Sequence, residues 1–193
     1  MRTSRLVGLG LIGVLALSGC SDAAATPPPT PSPTPDRNVQ VSATFSSGQS
    51  TATTYDPELV PVGSHGAVGV QTGSAGTTVM LAVRGLVPER RYGAHAHTEP
   101  CGPTGADAGP HFQNEVDPVQ PSVDPAFANP QNEIWLDLTT DASGAGSATA
   151  TVQWSFDQDR RAKSVVIHAM ETASGPGEAG QAGARAACIT VDF

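Results

Sequence analysis

Turn-forming residues divide residues 39–193 into short runs. The shortness of these runs constrains the fold more than any other feature of the chain. The runs alternate apolar and polar side chains or are rich in β-branched residues, and helical periodicity is nearly absent. The candidate strands are VQVSATFS (39–46), GAVGVQT (66–72), TTVMLAVRG (77–85), RYGAHAH (91–97), EIWLDLTT (133–140), GSATATVQW (146–154), KSVVIHAM (163–170) and AACITVDF (186–193). About eight such strands are typical of an antiparallel sandwich or barrel, so we expect an all-β domain.

Two long stretches, residues 98–132 and 171–185, interrupt the candidate strands. Long segments without secondary structure are uncommon in compact domains, and those that occur usually carry function. We therefore expect these two stretches to be functional loops.

Four of the five histidines lie in or beside the candidate strands. His95 and His97 are two residues apart, so on a strand both rings point to the same face; two solvated histidines are the alternative. His111 follows a Gly-Pro turn, and His168 lies in the apolar run SVVIHAM, where a lone histidine is more often a core residue. A fold that pairs the strand at 91–97 with the strand at 163–170 can bring the four rings together. Four imidazoles without a thiolate suit copper better than structural zinc.

The formal net charge of -8 excludes one class of function. Lys163 is the single lysine of the chain, whereas a protein that binds nucleic acid needs a basic footprint. We therefore expect no nucleic-acid partner. Any attraction of an anionic substrate has to be local, because the overall field of the protein opposes it.

The N-terminus has the pattern of an export signal. Residues 1–19 combine two arginines with an apolar run that is short for a mature transmembrane helix. The tetrapeptide LSGC, which ends at Cys20, resembles the lipobox of bacterial lipoproteins, in which the cysteine is acylated. An ordinary signal peptide with a chance cysteine is the alternative.

A tether precedes the folded domain. Residues 20–38 contain Cys20 and a run rich in proline, threonine and alanine, which has little to bury and favours extended polyproline II. Residues 39–193 are long enough for one domain with a real core. We expect this domain to be exported and lipid-anchored to the outer face of the bacterial cell membrane.

With Cys20 assigned to the lipid, Cys101 and Cys188 remain as one pair. Disulfides persist in exported domains, so these two cysteines are candidates for a bridge. Two free, buried thiols are the alternative.

Four stretches resemble segments of the copper/zinc superoxide dismutase family, in the order and rough spacing of that family. GAHAHTEPCG is similar to its Gly-x-His-x-His segment with the first disulfide cysteine, and AGPHF to the segment whose histidine bridges copper and zinc. SVVIHAMET is similar to the strand of the fourth copper histidine, and GQAGARAACITV to the segment with the active-site arginine and second disulfide cysteine. The resemblance extends from about residue 39 to the C-terminus.

The resemblance implies a fold, a cofactor and roles for particular residues. The fold is an eight-stranded antiparallel Greek-key β-barrel or sandwich, stabilised by a Cys101–Cys188 disulfide. One copper ion is implied per chain, with Arg185 beside it to guide and hold superoxide. The implied copper ligands are His95, His97, His111 and His168.

The zinc site of the family has no counterpart in this sequence. Two further histidines and an aspartate should follow the bridging histidine, yet QNEVDPVQPSVDPAFANPQNEIW, which follows Phe112, contains no histidine. A carboxylate site of Asp117 and Asp124 is the alternative, although zinc prefers nitrogen and sulfur ligands. The chain thus resembles the copper-only branch of the family, and we expect zinc to be absent.

Without zinc, the second ring nitrogen of His111 lacks its metal partner. Ligating histidines usually donate that N–H to a carboxylate or a carbonyl. Our hypothesis assigns this part to Glu133, where the chain re-enters a strand. An ordinary solvated acid is the alternative for Glu133, and Asp124 and Glu171 are weaker candidates for the role.

The resemblance implies an enzyme, a superoxide dismutase that converts superoxide to dioxygen and hydrogen peroxide. In that chemistry His111 leaves reduced copper, takes up a proton and returns it to the nascent peroxide, while Arg185 supplies permanent positive charge. A non-catalytic copper-binding or copper-buffering surface lipoprotein and a purely structural domain are the alternatives. The oligomeric state stays open.

Overall fold

The structure is a computed structural model, and it describes residues 37–193. The expectations for the export signal, for Cys20 and for the tether up to residue 36 lie outside the described residues. The strands are β1 (Arg37–Thr44), β2 (Ala52–Thr54), β3 (His65–Gly73), β4 (Gly76–Arg84), β5 (Arg91–Tyr92), β6 (Ala94–His97), β7 (Leu138–Thr139), β8 (Gly146–Val152), β9 (Ser164–His168) and β10 (Arg185–Thr190), with a short 3₁₀-helix at Gly105–Ala108. Within residues 37–193, no helix is long and apolar enough to cross a membrane.

Two four-stranded antiparallel sheets form the domain. The strand order is β1-β3-β4-β8 in the first sheet and β2-β10-β9-β6 in the second, and β5 pairs separately with β7. The predicted all-β antiparallel sandwich is therefore confirmed. Across residues 37–193 the sheets are open rather than closed into a barrel, and ten strands replace the expected eight.

The first sheet buries one face, as its sequence pattern predicts. Every second residue of β3 and β4 is buried, including Val68, Val70, Val79 and Leu81, and these side chains belong to the main core. This alternation is the consequence of the two-residue side-chain period of a strand packed on one side.

The second sheet is buried on both faces, and this difference creates the site. All residues of β6 and β9 are buried. The inner face carries the core residues Ala94, Ala96, Val165 and Ile167. The outer face carries the histidines of β6 and β9, and the two long loops cover it.

The Cys101–Cys188 disulfide predicted from the sequence is present, with its Cα atoms 5.7 Å apart. It ties the first long loop to β10, on the outer face of the second sheet. Ala108 of the loop packs with Val166 and both cysteines in a small apolar cluster that is separate from the main core. The bridge therefore holds the loop against the strands that carry the site.

Every predicted strand has at least one boundary that differs from the observed one, and the predicted strand at 91–97 is divided into β5 and β6. The first strand begins at Arg37 rather than at residue 39, because Arg37 pairs with Thr72 in the ladder and its guanidinium forms an ion pair with Asp192. The predicted strand at 133–140 shrinks to β7 and two isolated bridges.

The segment at 133–140 is discontinuous because it changes partners. Trp135 bridges to His95 of the second sheet, whereas Glu133 bridges to Gln113 of the first long loop. Strand β2 was missed because only three residues, in a run rich in serine, threonine and glycine, pair there. Both departures depend on partners distant in sequence.

Candidate metal centre

The pairing of β6 with β9 brings three of the predicted histidines together. His95 lies opposite Val166 in this antiparallel ladder, and the backbone N–H of His168 donates to the carbonyl of Gly93 at 2.7 Å. Because residues two apart share a face, His95 and His97 both point outward from the sheet, as predicted. His168 projects from the same face of β9 as Val166.

The fourth histidine comes from the loop that runs along the free edge of β6. His111 bridges to His97, and the N–H of the next residue, Phe112, donates to the carbonyl of Ala96 at 2.8 Å. Backbone pairing rather than a flexible loop therefore fixes the position of His111.

The four histidine rings each point one nitrogen toward the same place. One nitrogen from each of the four histidines lies within 4.8 Å of the others. The ring centroids are 4.1 Å apart for His95 and His111 and 6.4 Å apart for His95 and His97. All four rings are buried or half-buried, so the cluster is largely shielded from water.

Three of the rings use Nδ1 to donate to an acceptor of the protein, which is a carbonyl for His97 and His168 and a carboxylate for His111. Nδ1 of His97 donates to the carbonyl of Gly109 at 2.9 Å, and Nδ1 of His168 donates to the carbonyl of Gly183 at 3.4 Å. A carbonyl can only accept, so Nδ1 carries the proton and Nε2 keeps a lone pair. The Nε2 atoms of His97 and His168 lie 3.4 Å apart, so two lone pairs face each other. A cation between them relieves that arrangement.

The fourth ring has a buried nitrogen with no partner. Nε2 of His95 lies 2.7 Å from the hydroxyl of Thr172, whereas Nδ1 is buried and has no hydrogen-bond partner among the described residues. Buried polar atoms without a partner are rare and costly. A metal ion that accepts this lone pair removes the cost. The site thus offers four imidazole nitrogens and no thiolate, a set that fits copper.

Burial keeps three of these imidazoles neutral. Desolvation lowers the pKa of His95 and His97 well below the usual value, and a charge on the neighbouring His111 would lower both further. Desolvation, with a smaller contribution from His111, lowers the pKa of His168 to about 3. Neutral imidazole is the form that binds a metal.

Glu133 lies behind His111, where the sequence hypothesis placed it. Its Oε2 accepts from Nδ1 of His111 at 2.8 Å and from the indole N–H of Trp135 at 2.7 Å, and its Oε1 accepts from the amide of Gln113 at 2.8 Å. Only 2% of its side chain is exposed. The solvated-acid alternative therefore does not describe Glu133.

The competing carboxylates of the sequence analysis are engaged elsewhere. Asp117 accepts from the N–H of Val119 and the hydroxyl of Ser122, both at 2.7 Å. Asp124 is exposed and accepts from a backbone N–H two residues further on. Glu171 forms an exposed ion pair with an arginine of β5. None of the three contributes to the histidine cluster.

Arg185 lies directly opposite His168 in the ladder between β10 and β9. Its guanidinium donates to the carbonyls of Gly105 at 2.6 Å and Gly109 at 2.7 Å. Burial lowers the pKa of Arg185, although a guanidinium stays charged in proteins. Since it has five N–H donors and these bonds use two, donors remain for an anion.

A cavity of about 360 Å³ connects the arginine with the histidines. Arg185, His111, His168 and Glu133 all line it, and the remaining lining comes from the two long loops. Both loops therefore shape the space next to the cluster, in agreement with the functional role that their length predicts.

Sequence reasoning missed the groups that hold the ligands from behind. The carbonyl of Gly109 accepts from both His97 and Arg185, and Gly109 has a φ of 70° with no room for a Cβ, which would lie 2.4 Å from the hydroxyl of Thr98. Backbone carbonyls have no signature in a sequence. Thr172 lies four residues after His168 in the sequence, but only the fold shows that its hydroxyl contacts the ring of His95.

Comparisons with known proteins agree with this architecture. The family model described as copper/zinc superoxide dismutase (SODC) matches residues 64–191. Among solved structures, the chain is similar to the Cu/Zn superoxide dismutase from Brucella abortus, with 19% identity, 82% of this chain and 100% of that chain covered, and a TM-score of 0.54. It is also similar to a mutant of a SOD-like protein from Bacillus subtilis, with 18% identity, 66% and 90% coverage, and a TM-score of 0.50. No curated protein matches the chain.

At these identities the solved structures establish the fold alone, whereas the family model covers most of the chain, including all four clustered histidines, both bridged cysteines and Arg185. Sequence motifs, topology and family match all lead to the same assignment. The chain belongs to the copper/zinc superoxide dismutase family.

Proposed function

We propose that the protein is a copper-dependent superoxide dismutase that works without a zinc site. It converts two superoxide anions and two protons to dioxygen and hydrogen peroxide. The observation that carries the proposal is the convergence of four imidazole nitrogens, one of them a buried nitrogen without a partner, beside a cavity lined by Arg185.

Copper held by His95, His97, His111 and His168 supplies the one-electron oxidation and reduction that this reaction needs. The protein supplies the binding of the anion. Arg185 presents its remaining N–H donors and a permanent positive charge to the cavity, which is a local attraction in a chain of net charge -8. The carbonyls of Gly105 and Gly109 fix the guanidinium in place.

His111 is the residue that we assign to proton transfer. Its Nδ1–H is held by the buried carboxylate of Glu133, so its Nε2 is the nitrogen that can hold and release a proton. The ring is 19% exposed, unlike the fully buried rings of His95 and His97, and it lines the cavity. A proton on Nε2 of His111 is therefore within reach of an anion bound by Arg185.

Glu133 supports the proposal that the protein does without zinc. In place of a second metal ion, this carboxylate holds the rear nitrogen of His111 and is itself held by Gln113 and Trp135. Asp117 and Asp124, the residues of the alternative carboxylate site, use their oxygens to hold loop backbone and the hydroxyl of Ser122.

We also propose that the protein is exported and anchored through Cys20. The LSGC tetrapeptide after an apolar run and the tether that follows support this proposal. The Cys101–Cys188 disulfide supports it as well, because disulfides persist in oxidising compartments. Labelling of the expressed protein with a radioactive fatty acid tests it, and loss of label in Cys20→Ala is the expected result.

Superoxide consumption by the copper-loaded and metal-free protein tests the catalytic proposal. We expect rapid decay of superoxide with the copper-loaded protein alone, and slower decay with Arg185→Ala, which retains its copper. Arg84→Ala is the matched control, because Arg84 is exposed at the end of β4 and its loss changes the net charge equally. Copper binding without superoxide consumption would instead support the copper-buffering alternative.

A further inference from the structure

A second cavity adjoins the one beside Arg185 and is larger. Its volume is about 710 Å³, and His111 and Pro121 line both cavities. Arg185, His168 and Glu133 line the first cavity but not the second. The second cavity is therefore a separate space next to the segment that carries His111, and the proposed reaction does not use it.

The walls of the second cavity provide apolar surface. Pro110, Phe112 and Val116 line one part of it, together with Pro121 of the first long loop. The side chain of Val116 is 59% exposed, so it presents apolar surface that the protein itself does not cover. A cavity within about 300–1,000 Å³ that combines apolar walls with a few polar groups is typical of a site for a small molecule.

The polar groups of this cavity are mostly cations. Arg160, Arg161 and Lys163, all from the β8–β9 connection, line it, and the acids that face it are Glu99 and Asp159. Three cations against two acids leave an excess of positive charge on this surface, in a chain of net charge -8. The cavity therefore complements an anion rather than a cation.

Two of the cations keep N–H donors for a ligand. Within residues 37–193, the guanidinium of Arg161 forms one hydrogen bond, to the carbonyl of Phe193 at 3.3 Å, so most of its five donors remain. Nζ of Lys163 uses one of its three donors for Glu99, at 2.8 Å, and this bond offsets the charge of that acid. Asp159 is exposed, where water and salt screen its charge.

The third cation makes the cavity rigid. Arg160 reaches from the β8–β9 connection to the first long loop and donates to the carbonyls of Gln113 at 2.6 Å and Asn114 at 2.7 Å. Its guanidinium carbon lies 4.9 Å from the ring centroid of Phe112. The two sides of the cavity are thus joined before any ligand binds, and a preformed site loses less conformational freedom on binding.

We infer that the second cavity binds a small organic anion with an apolar body, such as an aryl carboxylate or sulfonate. The body packs against Phe112 and Val116, and the anionic group lies between Arg161 and Lys163. This inference goes beyond the proposed dismutase activity and requires no metal. Because His111 lines both cavities, the ligand lies next to the ring that we assign to proton transfer.

Fluorescence titration with 8-anilinonaphthalene-1-sulfonate tests the inference, with the uncharged N-phenyl-1-naphthylamine as the matched probe. We expect one sulfonate dye per chain. Arg161→Gln should weaken its binding by about tenfold. Val116→Ser should weaken it by about threefold. Arg84→Gln and Val62→Ser are the controls, because Arg84 is exposed at the end of β4 and Val62 is 55% exposed in the β2–β3 connection.

Backbone ¹H–¹⁵N correlation spectra of the parent protein locate the dye without any variant. We expect the largest shifts at the amides of Phe112, Val116 and Lys163. Shifts centred on Ala182 and Gly183, which line only the cavity beside Arg185, would place the dye there and overturn the inference. Absence of binding, equal affinity for the uncharged probe, or variants that bind as the controls do would overturn it as well.

Discussion

Replacement of Glu133 by glutamine is the most informative single change, because it preserves shape while removing one acceptor from a buried network. The side chain accepts three N–H bonds, from His111, Gln113 and Trp135. A glutamine amide has one oxygen and one NH₂ group, so at least one of these donors faces another donor.

The cost follows from the burial of this group, whose side chain is 2% exposed. A buried donor left without an acceptor costs about 1–3 kcal/mol, and loss of the carboxylate charge weakens the remaining bonds. We therefore expect Glu133→Gln to lower the free energy of unfolding of the metal-free protein by about 2 kcal/mol. In a domain of this size that corresponds to a Tm lower by about 4–8 °C.

The same change should loosen the ring of His111 and weaken copper binding by about 10–100-fold. Thermal unfolding of the metal-free protein and chelator competition of the copper-loaded protein measure the two effects. Glu58→Gln is the control, because it makes the same charge change at an exposed site in the β2–β3 connection. If Glu133→Gln matches this control in both Tm and copper affinity, the assignment of Glu133 as the support of His111 is wrong.

Two further predictions concern stability. Joint replacement of Cys101 and Cys188 by serine opens a loop between residues 87 apart and should lower the free energy of unfolding by about 4 kcal/mol. Denaturant titration measures this change, and an unchanged midpoint would contradict the predicted role of the disulfide. Because the pKa of His168 falls from 6.5 to about 3 on folding, the unfolded metal-free chain binds more protons between these values. Stability should then fall as the pH drops below 6.5, by about 1.4 kcal/mol per pH unit from this residue alone, and equal thermal stability at pH 7 and pH 5 contradicts it.

The sequence predicted the fold well where structure depends on local pattern. Strands β3 and β4 have two-residue alternation, and both were found with boundaries close to those expected. The segment at 133–140 looked equally regular, yet Glu133 and Trp135 bridge to different partners. Alternation indicates that a face is buried, but it does not say which neighbour covers it.

The residues of the site also fall into those that the sequence could predict and those that only the fold reveals. His95 and His97 could be predicted to share a face, because that follows from strand geometry alone. Glu133 could be proposed because a ligating ring needs a rear acceptor, a chemical requirement that left few carboxylates to consider. Thr172 and Asp137 could not be found, because 35 residues separate them and only the fold places them behind His95.

Electron paramagnetic resonance of the protein loaded with one equivalent of Cu(II) tests the central claim most directly. Pulsed measurements on protein with ¹⁵N-labelled histidine count the imidazoles bound to copper. We predict one copper ion bound by His95, His97, His111 and His168, with one imidazole signal lost in each single alanine variant that still binds copper. Fewer than four imidazoles in the parent protein, or a spectrum that none of these variants changes, would contradict the claim that the four rings share one ion.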